Sequence, residues 1–314
     1  MNIPVAAFRQ FLELNARIFD ADGVADHYRL TSSEVVPSPF GREVASHIAQ
    51  ALKKGRPFSV IRIGDGESNL LTYGCYPETI ELDEFAVASI VAKQKDRFRV
   101  AEPWQVVLKT MMNGAISSAD ILGVPGLWRP GSVNVDHIIE RFSQDPRGIS
   151  GYWRGIDHMM AMAEQSLLTR KIITSAHLYF GVLEHLQTIV KAAHRIVCVT
   201  NRETAYHRII SNFPDCQFTF IDAVQSTSTE NSSPVFFSEM SRRLGRHLSS
   251  VLFLVGAGPW SEFYCTWIKE RGGVAVDIGS AFDLLAGDLT RPIHKVVSLE
   301  KMLGHLNLDL PDFS

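Results

Sequence analysis

Seven short apolar runs, each followed by a turn and an amphipathic stretch, restrict the folds open to this chain more than any other feature. They occupy residues 58–63, 119–124, 171–174, 195–200, 217–221, 251–255 and 274–278. Most are rich in β-branched residues and apolar at consecutive positions, as strands covered by helices on both faces should be. The clearest helix follows Pro259: Trp260, Phe263, Tyr264, Trp267 and Ile268 stand at i, i+3, i+4, i+7 and i+8, and Gly272-Gly273 ends the run. Strands alternating with helices predict an α/β fold with a doubly wound, mostly parallel sheet. Ligands of such sheets bind beyond the carboxyl ends of the strands, so the residues following each run carry the functional question.

Composition narrows the classes further. The 314 residues are 46% hydrophobic and carry 31 Lys+Arg against 34 Asp+Glu. An apolar fraction that high with a net charge of −3 excludes a disordered chain. It also argues against general nucleic-acid binding, which needs a concentrated basic face. No run approaches the roughly 18 apolar residues of a membrane span, and the N-terminus lacks the basic start and apolar run of a signal peptide. Phe8, Phe11, Leu12, Leu14 and Phe19 predict instead an amphipathic helix, suited to core packing or a homodimer contact more than to a membrane surface. Cys75, Cys198, Cys216 and Cys265 form no CxxC pair and read as buried thiols of a reducing, cytoplasmic setting. The expected organisation is a helical extension over 1–50 without strands of its own, a catalytic domain over 51–290 and a C-terminal tail or helix over 291–314. Residues 128–152 read as a long loop of the kind that forms lids, and 225–233 as a mobile loop.

The sharpest strand end is Arg62-Ile63-Gly64-Asp65-Gly66-Glu67. Two carboxylates set between glycines suit a hard divalent cation, Mg²⁺ or Mn²⁺, with water and phosphate completing its shell, and Arg62 could pair with a carboxylate or a phosphate. The same residues would equally make an ordinary strand-to-helix turn, with Asp65 as N-cap and Glu67 in the first turn. A second signal, Val255-Gly256-Ala257-Gly258-Pro259, opens a helix where free N–H groups attract anions. Ser261 stands where a dinucleotide fingerprint has its third glycine, and a plain tight turn also satisfies the residues. Asp277 interrupts a buried-looking strand and needs a partner: a helix N-terminus, a base, a ribose hydroxyl or a metal. Arg202 and His177, after Thr200-Asn201 and Thr174-Ser175-Ala176, are candidate phosphate ligands. Capping by Thr200 or Asn201 with a solvated Arg202 is the alternative. Tyr152-Trp153-Arg154 could stack on a base or sugar, or close a core. His137, His158 and His185 lack HExxH spacing, and neither GxSxG nor GxxxxGK[ST] occurs.

A strand ending in R-x-G-D-G-E, followed later by strand–G-x-G-P–helix–strand-D-I-G, resembles the GT-D fold glycosyltransferases, formerly a domain of unknown function (DUF1792). The likeness runs from about residue 55 to about 285, and Ser280 follows Asp277-Ile278-Gly279 where the family commonly has His. The resemblance implies a Rossmann-like, GT-D-like domain and a hexosyltransferase-type enzyme of polysaccharide biosynthesis. Such an enzyme moves a sugar from a nucleoside diphosphate donor, expected to be a UDP-sugar, to a glycan or glycoconjugate. It ties Asp65-Gly66-Glu67 to metal binding and catalysis, with a carboxylate as proton acceptor. Arg62, Gly64, Gly66, Gly256, Gly258, Asp277, His177 and Arg202 would then contact the substrate, and Mn²⁺ or Mg²⁺ would be the cofactor. Breaking the sugar–diphosphate bond develops negative charge that a cation and basic side chains stabilise. A metal-dependent phosphohydrolase of nucleotides or nucleotide sugars would use the same carboxylates on water, and a non-catalytic nucleotide-sugar or glycan-binding module would keep the fold alone.

Overall fold

The computed structural model describes residues 3–36, 40–83, 85, 104–128, 133–223, 233–298 and 302–306. Its strands are β1 (Glu34–Val35), β2 (Phe58–Arg62), β3 (Ile121–Val124), β4 (Ile172–Ser175), β5 (Arg195–Thr200), β6 (Gln217–Asp222), β7 (Val251–Gly256) and β8 (Val274–Asp277). Its α-helices before β4 are α1 (Val5–Leu14), α2 (Ala21–Thr31), α3 (Val44–Lys53), α4 (Asp65–Leu71), α5 (Trp104–Ser118), α6 (Val135–Gln144) and α7 (Pro146–Glu164). After β4 come α8 (Tyr179–Glu184), α9 (Leu186–Lys191), α10 (Glu203–Asn212), α11 (Ser233–Leu244), α12 (Ser261–Glu270) and α13 (Ala281–Ala286). The fold is α/β, with an all-parallel sheet of eight strands flanked by helices. All seven apolar runs are strands, because residues apolar at consecutive positions are stable only when both faces are covered.

The chain divides into two compact units. One comprises Met1–Pro39 and Arg62–Ala176, the other Phe40–Ile61 and His177–Ser314. In the first unit the strand order is β1-β4-β3, with Ile121–Val124 in parallel register with Ile172–Ser175. Here the N-terminal segment departs from expectation, since β1 pairs Glu34 with Ile172 and Val35 with Ile173. Two residues are too few to show a strand period in sequence. The apolar face of α1 is spent inside this unit: Phe8 and Phe11 are buried, Phe8 stacks on Phe142 at 4.2 Å and Phe11 meets Tyr76 edge-on at 5.1 Å. Leu14, of the same predicted face, is exposed.

The predicted lid over 128–152 is largely two helices. Asn134 caps α6 by accepting from Asp136 N–H and His137 N–H. Asp145 caps α7 by accepting from Gly148 N–H, with Pro146 at its first position, where a missing N–H costs nothing. Glycines and proline made the segment look irregular, and here they start helices. Tyr152-Trp153-Arg154 thus lies in the body of α7, and Trp153 and Arg154 are buried. The predicted mobile loop lies outside the described residues except for Ser233, which opens α11.

In the second unit the strand order is β2-β8-β7-β5-β6. The chain steps outward from β5 to β6, then returns to the other side of β5 for β7 and β8. The reversal makes a topological switch point between β5 and β7, where parallel sheets open a crevice at their carboxyl ends. Leu252–Val255 are fully buried, and the helical stripe Trp260, Phe263, Tyr264, Trp267 and Ile268 is buried as its period predicts. Cysteine usage is mixed rather than uniformly buried: Cys198 and Cys265 are buried, Cys216 is half-buried and Cys75 is exposed. Among the described residues no helix is long and apolar enough to cross a membrane.

Candidate functional site

In the first unit, chain direction at the end of β2 is held by Ile63 N–H donating to Gly123 O at 2.8 Å and by Arg62 Nη1 donating to Ala176 O at 3.2 Å. The helix α4 starts at once, and its N-cap is Gly64 rather than Asp65. Gly64 N–H donates to Glu67 Oε2 at 3.1 Å, the reciprocal bond of a capping box. A Cβ on residue 64 would fall 2.6 Å from that oxygen, so Glu67 in this rotamer lies over the bare face of the glycine. Asp65 occupies the first helical position and makes no hydrogen bond or ion pair among the described residues. Side chains two apart on a helix point to different sides. The two carboxylates are therefore distinguishable: both are half-exposed, but Glu67 is oriented by its own turn and Asp65 is not. Gly66 has open space where a Cβ would stand.

This turn is seated by α7. A Cβ on Gly151 would lie 2.1 Å from Asp65 O, and one on Gly155 2.2 Å from Ser68 Oγ. Glycines four apart leave a bare stripe against which α4 packs, backbone to backbone. Asn69 Nδ2 donates to Arg147 O at 3.0 Å, and Ser150 Oγ donates to Asn69 Oδ1 at 3.3 Å. Beneath lies a buried polar cluster. Arg154, fully buried, pairs with fully buried Asp83, donates to Thr72 O at 3.3 Å and lies 5.4 Å from the Tyr76 ring. Asp83 accepts from Gly74 N–H at 2.7 Å, while Tyr76 OH donates to Asp157 Oδ2 at 2.7 Å. Burial pulls the Arg154 guanidinium down to about 10, which leaves it cationic at neutral pH. His158 is pushed down to about 4, by burial first and then by the Lys109 charge. The sequence signal for this support is G-x-x-x-G from Gly151 to Gly155, which straddles the end of the predicted loop.

In the second unit the carboxyl ends of three strands lie in register. Thr200 of β5 stands opposite Gly256 of β7, and Val255 stands opposite Asp277 of β8. The geometry separates the two glycines. A Cβ on Gly256 would strike Phe282 at 2.5 Å, so packing demands it; Gly258 has φ +57° with open space around it. Asp277 is buried and engaged within the fold, as a carboxylate at that depth must be. Neither Thr200 nor Asn201 caps α10. Arg202 is the N-cap, and Thr200 Oγ1 accepts Arg202 N–H at 3.2 Å. The Arg202 side chain donates through Nε to Asp283 Oδ1 at 2.7 Å, and Asp288 Oδ2 lies 3.7 Å from its Nη1. Thr290 Oγ1 holds the other Asp283 oxygen at 2.6 Å. His177 packs beside Tyr179 and Phe180, with ring centroids 6.2 and 6.3 Å away. Deep below, His294 is buried with Nε2 3.3 Å from Tyr179 OH, and burial pushes it down to about 4.

Among the described residues no three His, Cys, Asp or Glu side chains gather as a metal cage. An all-parallel sheet flanked by helices, with a switch point between β5 and β7, defines a Rossmann-like α/β protein whose strand ends are candidate sites. Residues 41–285 match the family model of the GT-D fold-like domain. That match covers well over half of the chain, and the protein belongs to this glycosyltransferase-like fold family. No curated protein and no solved structure matches the chain.

Proposed function

We propose that this protein is a metal-dependent glycosyltransferase, moving a sugar from a nucleoside diphosphate donor, UDP-linked in our reading, to a glycan or glycoconjugate. The observation that carries the proposal is the Gly64–Glu67 turn, in a chain of the GT-D-like family. That turn presents one carboxylate without a partner among the described residues and another that accepts from a backbone N–H. The donor set fits a hard cation that takes most of its ligands from water and phosphate. Asp65 would hold Mn²⁺ or Mg²⁺, which when bound neutralises charge on the departing diphosphate. Glu67 takes the proton of the attacking acceptor hydroxyl, since one carboxylate cannot be inner-sphere ligand and free base together. In the second unit Gly258 leaves its backbone open to a ligand, Arg202 is steadied by Asp283, and Gly256 and Asp277 shape the turn from within. Four free cysteines accord with a cytoplasmic setting.

Thermal unfolding against a panel of nucleoside diphosphates and nucleotide sugars, with and without Mn²⁺, tests the reading. A matching donor at about 100 times its Kd stabilises the fold by about 2.7 kcal/mol. Asp65→Asn should lose the Mn²⁺-dependent part of the shift and lower transfer at least about 100-fold. Glu67→Gln should keep the shift and lose transfer by about 100-fold or more. Full activity in both variants overturns the proposal, and product formation unaffected by any sugar acceptor would assign a phosphohydrolase instead.

A further inference from the structure

The opposite edge of the second unit, where its strands begin, carries charge that the strand-end chemistry does not use. Residues 53–57, 191–195, 213–217, 245–250 and 269–273 lead into β2, β5, β6, β7 and β8. They contain Lys53, Lys54, Arg56, Lys191, Arg195, Arg246, Lys269 and Arg271 against only Asp215 and Glu270. In the whole chain acids outnumber bases, 34 to 31, so this edge is a local reversal of sign. The segments also touch. Ser250 Oγ donates to Leu52 O at 3.0 Å and Ser249 Oγ to Gly55 O at 3.3 Å. His194 N–H donates to Ser250 O, and Leu248 N–H to Arg271 O, both at 3.1 Å. Strands in parallel register start side by side: Phe58 stands opposite Val274, Val274 opposite Leu252 and Leu252 opposite Ile196. At about 4.8 Å per strand their lead-in loops form a rim roughly 15 Å long.

Lys53, Lys54, Arg56, Lys191, Arg246, His194 and His247 are exposed along it. The five Lys and Arg of that set make no ion pair among the described residues. Helix dipoles explain part of this charge, because Lys53 and Lys191 end α3 and α9 and a cation there is favourable. They do not explain Arg56 and Arg246, which lie in the loops beyond. None of the exposed large apolar residues lies on this rim, so it has nothing to insert into hydrocarbon.

We propose that this rim docks the protein on an anionic lipid surface, by attraction to phospholipid headgroups without insertion. A planar array of headgroups acts on a row of lysines across a Debye length, about 8–10 Å. A nucleic-acid backbone would have to approach closely, against the carbonyl ends of the helices that finish here. The inference does not rest on the transfer chemistry. Cosedimentation of the full-length protein with vesicles of phosphatidylglycerol and phosphatidylcholine is the test. Binding is expected at about 0.05 M salt and lost at about 0.5 M, with none to phosphatidylcholine alone. Combining Lys53→Glu, Lys54→Glu and Arg56→Glu should weaken partitioning at least about tenfold without changing Tm. If that variant is unstable, Lys191→Gln with Arg246→Gln should weaken it in the same direction. Equal binding to neutral vesicles, no binding at all, or salt-sensitive binding to duplex DNA but not to vesicles would each overturn the proposal.

Discussion

At the scale of single residues, the buried Arg154–Asp83 pair shows how much the first unit stakes on one ion pair. Both side chains are fully buried, and the pair's net worth is small because desolvation opposes attraction. Breaking it is another matter, since a buried cation would be left uncompensated. Asp83→Ala should cost about 3–5 kcal/mol in chemical denaturation. Replacing Arg154 by Met in the same chain should recover much of that loss. A single Asp83→Ala variant as stable as the wild type would show that Arg154 reaches water. The pair is invisible in sequence because Asp83 and Arg154 are 71 positions apart and nothing local to either marks the other as its partner. Asp65 and Glu67 are the reverse case: their pairing was evident from spacing, while their different bonding depended on Gly64 serving as the cap.

At the scale of elements, α7 is the platform for the carboxylate turn. Gly151→Ala would force a methyl to 2.1 Å from Asp65 O, and α4 must move to admit it. A loss of about 1–3 kcal/mol is expected, with transfer activity falling further than stability. Gly66→Ala is the contrasting case. Nothing lies within 4 Å of its added Cβ, and alanine is the better helix former, so stability should hold or rise by up to about 1 kcal/mol. A drop in activity in that variant would then report a ligand lying against residue 66, and unchanged activity would place the ligand elsewhere. Seven of the eight strands were legible, most because buried parallel strands are apolar at consecutive positions, and the edge strand β6 through Phe218, Phe220 and Ile221. Helices α6 and α7 were not, since Pro130 and Gly131 before α6 and Pro146, Gly148 and Gly151 within α7 gave the segment the composition of a loop, whereas Asn134 and Asp145 are helix caps.

At the scale of the whole molecule, each unit contains a histidine with a buried ring nitrogen that makes no hydrogen bond among the described residues, His158 Nε2 in the first and His294 Nδ1 in the second. Both are pushed from 6.5 to about 4 by burial. Between those values the unfolded chain binds protons that the folded chain does not, so stability must fall as pH falls. It is complete above about pH 6.5, declines toward pH 4 and changes no further below that on account of these groups. Tm measured between pH 7 and pH 5, before most carboxylates titrate, should drop in the wild type and drop less in His158→Gln and His294→Gln. Parallel profiles in all three proteins would mean that neither histidine is buried in solution.

The α/β class, the strands, the strand-end candidates and the family likeness followed from the sequence, because local periodicity and turn chemistry are written in neighbouring residues. Strand order was decided only by tertiary structure, since apolar runs carry no label for their neighbours. So was the switch point between β5 and β7, which places Thr200 opposite Gly256. Only the fold turned Arg202 toward Asp283, spent Gly256 on Phe282 and laid Gly151 under Asp65. Each of these depends on the close approach of residues far apart in the chain, and the space and charge at such a meeting exist only once the core has formed.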